Sequence, residues 1–179
     1  MQVDFSKNYF ELFELPVEFN VQHEQLDRRY RSLQTVLHPD NFASAADAER
    51  RWSVQAASFV NEAYQTLSKP IRRAAYMLSL NGIELNEETD TQMSPEFLMQ
   101  QMEWREALGD APDTADPYAA LDAIDVELSQ GQKKSAAAFS EAMEKKDWQQ
   151  ARTVVRQWQF LDKLKVELRA QEARLDDGA

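Results

Sequence analysis

Apolar side chains recur at spacings of three and four residues along most of the chain, a pattern that predicts amphipathic helices. Near the start, a dense apolar patch over residues 9–15 is ended by Pro16. A longer helix is predicted over residues 21–37 and ends at His38, because Pro39 disfavours helical geometry in the residue before it. Two further helices are predicted, one over residues 48–67 and one opened by Lys69-Pro70 that runs to Leu80.

The second half of the sequence predicts three more helical segments. Ser94-Pro95 and Asp116-Pro117 are start signals, since Ser or Asp caps a helix and proline fits its first turn. We expect the first segment to end at Leu108-Gly109 and Asp147 to cap the last one. Gly131 weakens the predicted continuity of the middle segment. Short connections between such segments predict a three-helix bundle.

The composition favours the same all-α fold. The 179 residues include 4 Gly and 6 Pro, fewer turn residues than a fold of many short strands needs. Asn81-Gly82 is a helix C-terminal signal, and an acidic, polar stretch follows it. We therefore predict a domain over residues 1–82, a linker over 83–93 and a helical bundle over 94–179.

The charge and the rare residue types exclude several classes of protein. The chain has 20 basic and 31 acidic residues. Residues 1–82 contain 9 basic and 10 acidic residues, and residues 83–179 contain 11 basic and 21 acidic residues. A net charge of −11 argues against nucleic acid or an anionic membrane as a partner. With no Cys and 2 His, we expect no metal site and no cofactor. The sequence has neither a membrane-length apolar run nor a signal-peptide pattern, which predicts a cytoplasmic protein or, after processing, one of an organelle matrix.

His38-Pro39-Asp40 is the first specific motif, and its context gives it meaning. It stands between a helix with Tyr30-Arg31-x-Leu33 and a helix with Asn61-Glu62-Ala63-Tyr64-x-x-Leu67. Together these stretches resemble a J-domain, the module with which DnaK-type chaperones are stimulated to hydrolyse ATP. The resemblance implies a DnaK-type ATPase as partner and an antiparallel helix pair with short flanking helices as fold. The chaperone-binding residues would be His38, Pro39, Asp40, Arg28, Arg29 and Arg31.

These residue types suit that role. The Asp40 carboxylate can accept a bidentate arginine from a partner, and the three arginines offer a basic face to an acidic surface. Two other interpretations of the motif remain. It could be a helix stop with a capping Asp, or His38 and Asp40 could be the acid–base pair of an enzyme.

The helix that begins after Ser94 has one apolar face too many for a simple bundle. At 100° per residue, the core face of this helix spans about 60° and consists of Phe97, Gln101, Trp104 and Leu108. We expect Phe97, Trp104 and Leu108 to be buried. A second face lies about 100–200° away and consists of Leu98, Met99 and Met102, with Glu103 and Glu106 on or beside it. Exposed Leu and Met beside acids predict a docking surface, unless the bundle, the linker or the first domain covers this face.

Five stretches extend the resemblance over nearly the whole chain: Tyr9-Phe10-x-Leu12-Phe13-x-Leu15-Pro16, Arg73-Ala74-x-Tyr76-x-Leu78-Ser79-Leu80-x-Gly82, Phe97-Leu98-Met99, Arg105-Glu106 and Phe160-Leu161-Asp162-Lys163-Leu164. They are similar to the iron–sulfur-cluster assembly co-chaperones of the HscB family. This resemblance implies an L-shaped, two-domain, non-enzymatic protein of the bacterial cytoplasm that delivers the cluster scaffold protein to a dedicated DnaK-type ATPase. The scaffold contacts would be Leu98, Met99, Met102, Glu103, Glu106 and Phe160. A general J-domain co-chaperone with another client is the alternative.

Overall fold

The computed structural model describes residues 3–85 and 93–178, and every regular element in these two ranges is helical. The α-helices in chain order are α1 (Tyr9–Leu12), α2 (His23–Leu37), α3 (Asp47–Ser68), α4 (Pro70–Leu80), α5 (Pro95–Asp110), α6 (Pro117–Glu144) and α7 (Trp148–Gly178). Short 3-10 turns over Pro39–Phe42 and Ala111–Asp113 follow α2 and α5. The predicted all-α fold is therefore confirmed.

The chain divides into two compact units, Met1–Met77 and Leu78–Ala179. α4 ends in the cap that Asn81-Gly82 predicts: Gly82 has φ of 73°, its N–H donates to Ser79 O (3.0 Å), and Ile83 N–H donates to Leu78 O (3.0 Å). Most of the predicted linker over 83–93 lies outside the described residues.

The first unit is built on the antiparallel pair of α2 and α3. Their apolar stripes meet in a core of buried residues: Leu26, Leu33, Leu37, Ala56, Val60, Ala63 and Leu67. Asp27 accepts a hydrogen bond from Tyr64 Oη (2.9 Å), and Tyr30 Oη donates to Asn61 (2.9 Å). Tyr30 is only partly buried, although its spacing places it on the buried face. Its ring stacks on that of Tyr64, which is also partly buried, with centroids 3.9 Å apart.

The second unit contains the three-helix bundle of α5, α6 and α7. One cluster of its core consists of Leu108, Ala111, Leu121, Ile124, Leu128, Leu161, Leu164 and Leu168. The predicted caps are present, since Ser94 Oγ accepts from Phe97 N–H (3.2 Å), Asp116 from Ala119 N–H (3.0 Å) and Asp147 from Gln150 N–H (3.1 Å).

One helix end in this unit differs from the sequence prediction, and the glycine that weakened the predicted continuity of the middle helix has a packing role. α6 continues through Gly131, where a Cβ would lie 3.0 Å from Leu161 Cδ1, so the glycine serves close packing rather than a break. α5 continues past Gly109 and ends at Asp110. Ala111 keeps helical backbone angles and is buried, and the turn with Pro112 begins only there.

Candidate functional site

The loop after α2 takes its shape from Pro39. His38 is the last residue before the proline and has φ of −56° and ψ of 132°, outside the helical region. The chain then turns tightly over Pro39–Phe42, and Asn41 N–H donates to His38 O (3.0 Å). The side chain of Pro39 itself lies outside what the structure describes. The motif thus ends α2 and starts a new turn within two residues.

Three neighbours of the motif hold the loop against the helix pair. Leu37 is buried in the core. The Asn41 side chain donates to the carbonyl oxygens of Thr35 (2.8 Å) and Val36 (3.3 Å) near the end of α2, and the ring of Phe42 packs on Trp52 of α3 with centroids 6.0 Å apart. Asn41 therefore caps α2, a role that sequence reasoning missed and that an Asn just after a helix stop could have indicated.

His38 and Asp40 point outward from this base. Their side chains are 60% and 89% exposed. His38 Nδ1 accepts a hydrogen bond from Asp40 N–H (3.3 Å) and lies 3.5 Å from Asp40 Oδ2. A pair as exposed as this lacks the water-excluding cavity and the third orienting group that acid–base catalysis uses, whereas both side chains are accessible to a protein partner.

The arginines of α2 lie outside the core, as the spacing predicts, and all three are exposed. Arg29 forms an ion pair with Glu14. Neither Arg28 nor Arg31 forms an ion pair with a carboxylate in the described ranges. The unpaired positive charge of this face is therefore concentrated on Arg28 and Arg31.

The second face of α5 is open in the structure. Leu98, Met99 and Met102 are 45%, 64% and 72% exposed, and no helix of their own unit covers them. Glu103 and Glu106 are exposed as well, and Glu103 accepts a hydrogen bond from Gln100 (3.0 Å). The periodicity of this helix thus correctly predicted which apolar side chains remain on the surface.

Phe160 of α7 lies where the core face of α5 meets this exposed face. It is partly buried, and its ring packs edge to face on Phe97 with centroids 5.9 Å apart. The Arg105 guanidinium lies 5.3 Å from the centre of the same ring. Arg105 is about 20° from Leu98 on the helical wheel, so it borders the exposed face. The resemblance included Arg105 in one of its stretches but gave it no role, although its position on the wheel could have indicated one.

The core face of α5 is less deeply buried than the spacing predicted. Leu108 is buried, but Phe97 and Trp104 are only partly buried. Phe97 lies in the first turn of the helix, and the Trp104 indole N–H donates to Glu127 (3.0 Å) at the surface of α6. The indole therefore packs on the core while its polar edge stays accessible.

Comparison with known proteins identifies the family. The DnaJ domain matches residues 8–76, and the HSCB C-terminal oligomerisation domain matches residues 93–169. The co-chaperone protein HscB homologue of Vibrio cholerae serotype O1 is 44% identical over 168 residues, which are 94% of this chain and 98% of that relative. The chain belongs to the HscB co-chaperone family. It is therefore a non-enzymatic J-domain protein, and the acid–base interpretation of His38 and Asp40 is wrong.

Solved structures of HscB proteins share the fold. Chaperone HscB from Vibrio cholerae aligns with a TM-score of 0.85 at 43% identity, covering 94% of this chain and 99% of that one. The human co-chaperone HscB aligns with a TM-score of 0.88 at 30% identity, and the alignment covers 96% of this chain and 85% of the human one. The J-domain followed by a C-terminal helical domain is thereby confirmed.

No helix within residues 3–85 and 93–178 is long and apolar enough to cross a membrane. The same residues contain no group of three or more His, Cys, Asp or Glu side chains that could hold a metal ion.

Proposed function

We propose that this HscB-family chain stimulates a dedicated DnaK-type ATPase and delivers to it the scaffold protein on which iron–sulfur clusters are built. The cluster is cargo of the scaffold, so the chain itself needs no metal ligands. The proposal rests above all on one observation. A chain of this family presents the exposed His38–Asp40 pair on one unit and the exposed apolar face of α5 on the other.

The chemistry of the loop suits an ATPase as partner. Asp40 offers a carboxylate that can accept an arginine, and Arg28 and Arg31 offer positive charge to an acidic surface. The loop is held in place by Leu37 and Asn41, so little ordering is needed when the partner binds. His38, Pro39, Asp40 and the arginines of α2 would then favour the hydrolysis-competent state of the ATPase.

The chemistry of α5 suits a second protein. Leu98, Met99, Met102 and Phe160 supply apolar contact area, and the flexible methionine side chains adapt readily to a partner surface. Glu103 and Glu106 lie beside them and would meet basic residues at the rim of the scaffold interface. By holding the scaffold, the chain would raise its effective concentration at the peptide site of the ATPase.

The two proposed activities are assigned to the two predicted domains. We assign ATPase stimulation to residues 1–82 and scaffold binding to residues 94–179, with residues 83–93 as the linker. The bacterial relatives support a cytoplasmic location.

The experiment measures single-turnover ATP hydrolysis by the purified DnaK-type ATPase, with and without the chain, and capture of the purified scaffold by the immobilised chain. We expect the chain to accelerate hydrolysis and to retain the scaffold. Stimulation without scaffold capture would instead favour a general J-domain co-chaperone with another client. Capture without stimulation would contradict the proposed role of the loop.

A further inference from the structure

The sulfur atoms of this chain differ sharply in their access to solvent. The sequence has no Cys and 6 Met, so every sulfur that it offers to an oxidant is a thioether. Met99 and Met102 are exposed, whereas Met77 is buried. Met93 and Met143 are partly buried. Two thioethers of α5 are therefore open to a small oxidant dissolved in water.

The two exposed thioethers are neighbours on one helix face. Met99 and Met102 are three residues apart on α5, which places them about 60° apart around its axis. No described residue donates a hydrogen bond to the sulfur of either one. The partly buried Met93 differs, because its Sδ accepts a hydrogen bond from Gln101 Nε2 (3.2 Å). The sulfur lone pairs are thus accessible at Met99 and Met102 and engaged at Met93.

A peroxide oxidises such a sulfur by two electrons. A sulfur lone pair attacks one oxygen of hydrogen peroxide, the S–O bond forms and the O–O bond breaks. The proton on the transferred oxygen passes to the departing hydroxide, which leaves as water. The product is methionine sulfoxide, and methionine sulfoxide reductases return it to the thioether. With a dithiol as reductant, that return step yields a disulfide and water.

We propose that Met99 and Met102 form a reversible oxidation site through which a peroxide lowers the affinity of the α5 face for the iron–sulfur scaffold, an inference that rests on the scaffold binding proposed above. Oxidation converts a flexible apolar side chain into a polar one. A scaffold that covers the oxidised face must remove the S–O group from water, which costs free energy unless a donor replaces the water. The carboxylates of Glu103 and Glu106, on or beside this face, accept hydrogen bonds and so cannot satisfy the sulfoxide oxygen.

The other candidate site of the chain should not respond to the same oxidant. The His38–Asp40 loop contains no methionine. Met77, which the structure describes in the same unit, is buried. A peroxide would therefore reduce scaffold delivery and leave the loop able to stimulate the ATPase.

Peptide mapping by mass spectrometry tests the oxidation site without any partner. The purified chain is treated with a limiting amount of hydrogen peroxide, and sulfoxide is quantified at each methionine over time. We expect Met102 and Met99 to be oxidised first, Met93 and Met143 later and Met77 last. Oxidation of Met77 or Met143 ahead of the α5 pair would overturn the proposal.

Calorimetric titration with untreated scaffold, after the peroxide has been removed, measures the consequence of oxidation. We expect the Kd to rise about tenfold, as loss of apolar contact at an interface does. Reductases for both sulfoxide epimers, supplied with dithiothreitol, should restore the original Kd, and ATPase stimulation without scaffold should stay unchanged. An unchanged Kd after complete oxidation of Met99 and Met102 would overturn the proposal.

Leucine variants assign the effect to these two sulfurs. Combined Met99→Leu and Met102→Leu keeps an apolar side chain of similar volume without a sulfur, so scaffold binding should survive the peroxide. Met143→Leu is the matched control, and its binding should weaken like that of the natural chain. Equal peroxide sensitivity of the double variant and the natural chain would show that another residue is responsible and would overturn the proposal. If the double variant binds poorly before treatment, the reductase experiment on the natural chain decides.

The two kinds of failure are distinguishable. If the untreated natural chain does not bind the scaffold, the proposed function is wrong and the regulatory role of the methionines is wrong with it. If the untreated chain binds and the fully oxidised chain binds equally well, scaffold binding stands and the oxidation proposal alone is wrong. Circular dichroism before and after treatment verifies that a change in Kd does not come from unfolding.

Discussion

The two candidate sites of this chain are built in different ways. The loop site depends on two polar side chains, His38 and Asp40, which a helix stop displays while Leu37 and Asn41 hold its base. The α5 site depends on area, since Leu98, Met99 and Met102 form a continuous exposed face without any single geometry-fixing contact among them. A site of the first kind should fail when one side chain changes, whereas a site of the second kind should weaken in steps.

The loop site should show the largest effect of a single substitution. We expect His38→Gln or Asp40→Asn to abolish ATPase stimulation. The first change removes the imidazole and the second removes the carboxylate charge, and no described neighbour can supply either group. Stability should change by less than about 0.5 kcal/mol, as is usual for exposed positions. Single-turnover ATP hydrolysis and thermal unfolding of the two variants measure both quantities.

Scaffold capture is the control for these loop variants, and it should be retained. A clear loss of thermal stability with stimulation preserved would contradict the prediction. The motif would then be a structural helix stop, and the proposed difference between the loop site and the α5 site would be wrong.

The α5 site should show graded effects that separate core from surface. Leu108 is buried on the core face of the same helix, so Leu108→Ala should cost roughly 2–5 kcal/mol of unfolding free energy. Met102→Ala should cost less than about 0.5 kcal/mol of stability, because Met102 is exposed. It should instead weaken scaffold binding by about 1–2 kcal/mol, a typical anchor effect. Denaturant unfolding and calorimetric titration with the scaffold test the pair.

Val126→Ala and Val166→Ala are matched controls for the α5 face. Both valines are exposed on the same unit, on α6 and α7, but lie outside the set of residues assigned to the scaffold. Their truncation should leave scaffold binding unchanged. Equal losses for Met102 and for these valines would mean that the α5 face has no special role.

The fold was largely predictable because its signals are local. Helix starts at Ser94, Asp116 and Asp147 and the stop at Asn81-Gly82 each need only a few neighbouring residues, and all four are present in the structure. The packing role of Gly131 was not predictable, because it depends on Leu161, thirty positions away in the sequence.

The sites were predictable to a different degree. The His38-Pro39-Asp40 motif is contiguous, and the periodicity of α5 identified Leu98, Met99 and Met102 as surface residues. Partial burial of Phe97 and Trp104 was not predictable, because Phe97 stands in the first turn of α5 and the Trp104 indole reaches Glu127, 23 positions away in the sequence. The ion pair of Arg29 with Glu14 and the stacking of Arg105 on Phe160 join distant segments, so the sequence pattern contained neither.

The arginines of α2 should show the smallest effect and sharpen the comparison within the loop site itself. Arg31 has no carboxylate partner in the described ranges, whereas Glu14 already offsets much of the charge of Arg29. If long-range attraction to an acidic ATPase surface guides association, Arg31→Glu should lower the association rate about three- to tenfold, and Arg29→Glu should lower it less. Added salt should slow association of the natural chain and narrow the difference between the two variants, because exposed charges are screened. Stopped-flow association at low and high ionic strength measures all of these rates. A rate indifferent to salt, or a larger loss for Arg29→Glu than for Arg31→Glu, would mean that the contacts of the loop, and not the charge of α2, govern the encounter with the ATPase.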